Sequence, residues 1–298
     1  MASDGIACTE ISEIPPRVTE WRRFRRVFFS RGVVLFGTVI IAFLVLIAII
    51  GPWIAPYDPV KISLSERLQG PSGNHWLGTD PYGRDTLSRL ICGARTSLVV
   101  GLLSVGLASV VGMILGGVAA YYGGAIYAVV MRLIDALMAF PVVVLALVIA
   151  ALLGGGVRNI ILALGISMMP QYARLMAGQV LSVKENDYIL AVKSLGANDL
   201  RIIAHHLFVN SFSPLIVQFS LRLGTTILAE ATLSFLGIGI TPPTPAWGAM
   251  VSDGRDYLQR APMLSLAPGL AIMLVVFAFN MVGDGLRDAL DPRLRGKL

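Results

Sequence analysis

Charged side chains are scarce in this chain: only 14% of its 298 residues are Asp, Glu, Lys or Arg, where a soluble domain carries about a quarter. Lysine is scarcer still. Lys61, Lys184, Lys193 and Lys297 are the full set, and none follows the GxxxxGK[ST] glycine run that cradles nucleotide phosphates. The chain therefore has no nucleotide site of that kind. Its two cysteines, Cys8 and Cys92, have no metal-ligand company and give no disulfide framework. The adjacent His205-His206 is not the HExxH of a zinc hydrolase, and Gly165-Ile166-Ser167 lacks the closing glycine of a nucleophile elbow. No catalytic constellation, metal site or cofactor is expected.

What is abundant is apolar: 55% of the residues are hydrophobic and mean hydropathy is +0.75. The apolar residues fall into about six uncharged or nearly uncharged runs, each close to the ~20 residues that a bilayer core requires. The first is Val33 to Gly51, and the second begins at Thr96 and ends near Tyr121-Tyr122-Gly123-Gly124. The third runs from Leu133 to Leu153, and the fourth, carrying Pro170 and Arg174, from Asn159 to Val180. The fifth and sixth are Ser211 to Gly237 and Pro262 to Gly283. The expected fold is all-α, a polytopic membrane protein with about six transmembrane helices. Its parts are a basic leader over 1–32, a membrane domain over 33–283 and a tail over 284–298.

Basic residues assign the sides. With the N-terminus inside, fifteen of the 24 Lys and Arg lie in the leader, the inner loops and the tail, while eight lie outside and Arg222 falls within the fifth run. Both termini are thus expected in the cytoplasm, with outer loops over 52–97 and 238–261 and an inner loop over 181–210. Cys8 and Cys92 fall on opposite sides. The Arg22 to Arg31 cluster before the first run accounts for the net charge of +6 through topology and anionic lipid, so no nucleic-acid partner is implied. The leader is too polar for a secretory signal and reads as an uncleaved anchor.

The inner loop is long for a turn. Tyr188 to Asn210 reads as two short amphipathic helices hinged at Gly196, with Ile189 and Val192 on one face of the first. Asn198 is the expected N-cap of the second, whose apolar face is Leu200, Ile203 and Leu207. This segment resembles the EAA loop of ABC-importer permeases. The frame is Leu190-Ala191-Val192, then Lys193-Ser194-Leu195, then Gly196, with Asn198-Asp199-Leu200-Arg201 beyond. Leu190 stands where the pattern has Glu, and Val209 where it has Pro.

Two further motifs lie in the outer loops. His75 to Leu98 contains Gly78-Thr79-Asp80, Gly83-Arg84-Asp85, Ser88-Arg89-Leu90 and Gly93-Ala94-Arg95. Asp80-Pro81 reads as an N-cap with proline in the first turn, opening an amphipathic helix at the outer interface that feeds the second span. Ala229 to Gly248 contains Leu233-Ser234-Phe235-Leu236-Gly237, Pro242-Pro243 and Trp247-Gly248. In this order, these segments resemble the permeases of the dipeptide/oligopeptide/nickel branch of ABC importers, over about Val33 to Arg293. The chain is most similar to the second permease of the pair in such systems. The resemblance implies several partners: a paralogous second permease, two cytoplasmic ATPase subunits and an extracytoplasmic solute-binding protein. It also implies a bacterial or archaeal plasma membrane location. The EAA-like loop would couple to the ATPases through Ala191, Val192, Gly196, Asn198, Asp199, Leu200 and Arg201. Dipeptides, longer peptides, nickel complexes, glutathione and opine-like solutes all remain open as substrates.

Charges inside spans are costly unless they face the protein interior. Glu230 and Arg222 are candidates for the translocation path, and an interhelical hydrogen bond is the other reading of Glu230. Eight residues apart, or about 12 Å along a helix, the two are not expected to pair. Arg132 and Asp135 are expected to form a local pair. Gly112, Gly116 and Gly117 permit close helix packing. The alternative from another class is an ion-coupled secondary transporter, which would carry inverted repeats and broken helices; no clear repeat is visible. An intramembrane enzyme lacks a nucleophile and base.

Overall fold

The computed structural model describes residues 20–290; Cys8 and the basic residues of the tail beyond Leu290 lie outside that range. Among the described residues the regular structure is helical, apart from one isolated bridge between Thr79 and Asp85. A short basic helix α1 (Glu20–Phe28) leads into α2 (Gly32–Ile54). After an irregular loop come α3 (Thr86–Tyr122), α4 (Gly124–Met138), α5 (Val142–Leu153) and α6 (Val157–Lys184). A single turn, α8 (Asp199–Arg201), follows α7 (Asp187–Ser194) and runs through a π-helical turn, Ile202–Leu207, into α9 (Phe208–Phe235). Helix α10 (Trp247–Gly254) and the long α11 (Met263–Leu290) complete the chain. Among the described residues five helical segments are long and apolar enough to cross a membrane, and the bent pair α4–α5 makes six if it is one span.

Helices α3 and α6 form the centre. Small residues line their contact: a Cβ at Gly116 would lie 2.0 Å from the Ala173 carbonyl oxygen, and one at Gly112 2.6 Å from that of Met169. Without side chains there, the two backbones approach closely enough for dispersion to hold them where lipid supplies no hydrophobic drive. Tyr172, Met176, Ile160 and Leu164 of α6 are fully buried beside them. Helix α9 packs on this pair, α11 packs in turn on α9, and α2 lies outermost against α11 and α3, with Phe36, Val39, Phe43 and Leu46 exposed on its lipid-facing side. An ion pair of 2.8 Å between Arg31 and Asp288 joins the start of α2 to the last turns of α11.

Several expectations are corrected. The third span is not one straight helix from Leu133 to Leu153: α4 begins at Gly124, and a 92° bend separates it from α5. Pro141 explains the break, because it lacks an N–H and disfavours helical backbone at the preceding Phe140. The outer amphipathic helix is instead the first turns of α3 itself, and Arg84 and Arg89 are buried in protein rather than lying at a lipid interface. Its N-cap is Asp85, whose carboxylate accepts from the Ser88 N–H at 2.8 Å, not Asp80. The second helix of the inner loop does not stand alone, since Asp199–Phe235 is one 37-residue span. Leu200 is exposed rather than on a buried face, whereas Ile203 and Leu207 are buried as expected. Asp135 pairs across helices with Arg174, not with Arg132.

Candidate functional site

At one end of the bundle, Lys184 closes α6 and the chain turns into α7. Ile189 is buried and Val192 half-buried, and both pack on the main apolar core, while Ala191 is exposed. The helix ends in a Schellman motif at Gly196, which sits at φ +81°. The Gly196 N–H donates to the Lys193 carbonyl at 3.0 Å, and the Ala197 N–H to that of Val192 at 3.3 Å. Those bonds require left-handed backbone at the residue past the helix end, which glycine adopts without a Cβ clash. Asn198 then caps the next turn, its Oδ1 accepting from the Arg201 N–H at 2.9 Å.

This element is pinned to the end of α3. The Tyr121 hydroxyl donates to Asp199 Oδ1 at 2.5 Å. The Lys184 ammonium donates to the Tyr121 carbonyl at 2.6 Å and lies 5.6 Å from the centre of its ring. Asp199 is thereby committed within the chain, while the Arg201 side chain is exposed. With its backbone held so firmly, the loop nevertheless shows three leucines to the outside: Leu190, Leu195 and Leu200 are 59%, 87% and 75% exposed. Neither Tyr121 nor Lys184 stands out in the sequence as a partner of this loop. A tyrosine ending a span just before glycine is the one local sign, and its acceptor is 78 residues away.

At the other end the two outer motifs meet. In the first, Asp80 Oδ1 accepts from the Tyr82 and Arg84 N–H groups at 2.8 and 3.0 Å, and Asp80 Oδ2 takes the Arg84 Nε–H at 2.5 Å. Arg89 Nε is 3.6 Å from the same carboxylate, and its guanidinium donates to the Pro59 carbonyl at 3.1 Å. His75 and Asp85 are joined at 2.8 Å. Thr79 donates its hydroxyl to the Glu66 carbonyl and accepts the Gln69 N–H. Gly78 and Gly83 adopt φ of +76° and +73°, and a Cβ at Gly83 would fall 1.7 Å from the Ser63 oxygen. In the second motif, cis-linked Pro242-Pro243 turns the chain. The fully buried Trp247 follows, donating its indole N–H to the Leu90 carbonyl at 2.9 Å and its backbone N–H to Ser97 Oγ at 3.2 Å. Asp253 lies 3.6 Å from Arg84; burial pushes its carboxyl up, and the Arg84 and Arg89 charges pull it back. The motif residues thus fold the loop and clamp it on α3.

Inside the bundle, Glu230 is fully buried and accepts from Ser234 Oγ at 2.8 Å, while its other oxygen has no partner among the described residues. Ser234 Oγ also accepts from the Ile240 N–H at 3.4 Å, so Glu230 lies under the turn that follows α9. Arg222 is half-buried two turns away, with no carboxylate within ion-pair distance among the described residues. The two do not pair. Among the described residues no cluster of His, Cys, Asp or Glu is arranged to hold a metal.

Comparison with known proteins agrees with this arrangement. Residues 108–296 match the family of binding-protein-dependent transport system inner membrane components. Residues 19–71 match the N-terminal transmembrane domain of oligopeptide transport permease C. The dipeptide transport system permease protein of Alkalihalophilus pseudofirmus is 44% identical over 278 residues, covering 93% of this chain and 91% of the relative. A glutathione transport system permease protein of Escherichia coli is 43% identical over 277 residues, covering 93% and 90%. In fold, the chain is similar to a chain of the inward-facing MetNI methionine ABC transporter, with a TM-score of 0.56 at 16% identity over 68% of this chain and 96% of that one. A polytopic helical bundle, a capped loop presenting leucines at one end and a matching family across nearly the whole sequence lead to one assignment: the chain belongs to the binding-protein-dependent transport system inner membrane components, the permeases of ABC importers.

Proposed function

We propose that this permease carries short peptides, of dipeptide to tripeptide size, as one half of a pore completed by a second permease. Relatives named for dipeptide and for glutathione, itself a tripeptide, support that substrate class. The energy comes from two separate ATPase subunits on the cytoplasmic side, and a solute-binding protein delivers substrate to the opposite face. Both termini lie in the cytoplasm, as the basic-residue asymmetry favours.

One observation carries the coupling assignment. Leu195 and Leu200 are 87% and 75% exposed on a loop whose backbone is capped at both helix ends. An ordered element that leaves large apolar side chains uncovered has the form of a knob for a partner's groove. Ala191, Val192, Gly196 and Asn198 shape the knob, Asp199 ties it to α3, and Arg201 offers a rim charge. Closure of the ATPase pair on nucleotide moves the knob, and transport follows only because nucleotide favours one arrangement of the spans over the other. Arg222, half-buried and without an acidic partner among the described residues, is the better candidate for the path; enclosed Glu230 supports the outer turn.

The test is the double variant Leu195→Asp with Leu200→Asp. Its yield in the membrane should match wild type, while co-purified ATPase and uptake of labelled dipeptide both fall at least about tenfold, the loss expected when a central apolar anchor is removed. Uptake and ATPase retention at wild-type levels would overturn the docking assignment. Competition of that uptake by glutathione and by longer peptides sets the size limit of the substrate.

A further inference from the structure

We infer that the groove between α2 and α3 is a binding site for an anionic phospholipid, with Arg95 as the phosphate contact. The groove has a volume of about 340 Å³. Val45, Ile49 and Trp53 of α2 form one wall and Leu98 and Leu102 of α3 the other, with Arg95 the one charged residue in the lining. Arg84 and Arg89, earlier on the same stretch of chain, are buried and face the Asp80 carboxylate. Arg95 differs. It is exposed, and among the described residues its guanidinium has no hydrogen bond, ion pair or ring contact.

Depth makes the difference matter. A Cβ at Gly51 would lie 3.0 Å from the Ile91 side chain, which sets Ile91 level with the last turn of α2. Arg95 is four residues further along α3, about 6 Å deeper into the span. At that depth an unpaired guanidinium is costly, and its stem is long enough to reach back to the headgroup layer. A planar guanidinium suits the oxygens of a phosphodiester, which it grips through two parallel N–H bonds.

The apolar part continues the site in the right direction. Leu98 and Leu102 are one helical turn apart, lie deeper than Arg95 and share the lining with Val45 of α2. They form a strip along which an acyl chain can run from a phosphate held at Arg95. Trp53, 79% exposed at the end of α2, stands at the height where indoles favour the membrane interface. Charge, depth and an apolar trough on one face fit a lipid better than a protein helix, which would have to bring its own buried acid to the same point.

The full-length permease, in its assembled transporter, is reconstituted into phosphatidylcholine vesicles. These contain either a diazirine-bearing phosphatidylglycerol or the same fraction of the matching phosphatidylcholine probe, and labelled peptides are mapped after photolysis. Segments 45–53 and 95–102 should take up about fivefold more of the glycerol probe, the preference expected of one basic residue at the membrane surface. Labelling at Phe36 and Phe43, on the lipid-facing side of α2, should show no such preference. Arg95→Gln should bring the two probes to parity, and Arg95→Lys should keep most of the preference. Ala48→Phe, which fills the trough without touching the charge, should lower labelling of 95–102 by both probes. Equal labelling in the wild type, or a preference that persists in Arg95→Gln, overturns the proposal. So does protection of the groove from both probes while Phe43 is labelled, because a protein partner then covers it.

Discussion

Tyr121 and Asp85 show how single side chains hold the two ends of this permease. The Tyr121 hydroxyl joins the end of α3 to Asp199 on the loop proposed to dock the ATPases. Removing one such bond costs about 1 kcal/mol, too little to unfold the bundle but enough to loosen the connection. Tyr121→Phe should therefore leave membrane yield and basal ATP hydrolysis near wild type while the solute moved per ATP, measured in proteoliposomes, falls several-fold. Asp199→Asn keeps an acceptor oxygen and should behave as wild type. Asp85 has a structural duty: it caps α3 through Ser88 and holds His75. Asp85→Ala strands both, and loss of a cap alone costs about 0.5–2 kcal/mol. A lower yield and an earlier thermal transition of the detergent-solubilised protein are expected, with Asp85→Asn intermediate. Glu230→Gln should likewise affect assembly more than transport, since the carboxyl is enclosed beneath the turn after α9.

At the scale of elements, hydrophobic runs made most of the bundle legible, because a bilayer core demands uninterrupted apolar helix whatever the tertiary packing. Gly196 was readable for the same local reason: a glycine after an amphipathic turn marks the left-handed residue of a helix end. A Cβ there meets nothing within 4 Å, so only the backbone angle of +81° constrains the position. Gly196→Val should cost about 1–3 kcal/mol of local strain, leave the spans inserted and abolish uptake with loss of bound ATPase. Gly196→Asn tolerates that angle and should keep most activity. Wild-type uptake by the valine variant would reduce the loop to a simple turn. What failed was decided by competing local turns, by a partner on a facing helix, or by a break inside an apolar run. Asp80-Pro81 has the look of a helix start, yet Asp80 is drawn into a turn by the Tyr82 and Arg84 N–H groups, and the true cap lies five residues on. Asp135 has Arg132 three residues away, but the facing α6 brings Arg174 to it. The bend at Pro141 was hidden because the run on either side stays apolar.

For the whole molecule, topology is the remaining proposal. In a background without Cys8 and Cys92, single cysteines at Ser72 and Lys193, both exposed, should react with a membrane-impermeant maleimide from opposite faces. Reaction of both in intact cells would overturn the orientation. The exposed leucines of the inner loop and the clamped outer loop then lie on the two sides required by a carrier that takes solute from one compartment and energy from the other.

Helix α3 connects those sides as a single piece. Its 37 residues extend about 55 Å, well beyond a hydrocarbon core of about 30 Å. One end is locked into the Asp85 and Trp247 clamp and the other is bonded to Asp199. A stiff rod fixed at one end acts as a lever: tilting it by about 10° sweeps the far end through about 10 Å, given the helical rise. The distance between spin labels on α3 itself should then stay constant between nucleotide-free and nucleotide-trapped transporter, while distances from its inner end to the proposed second permease shift.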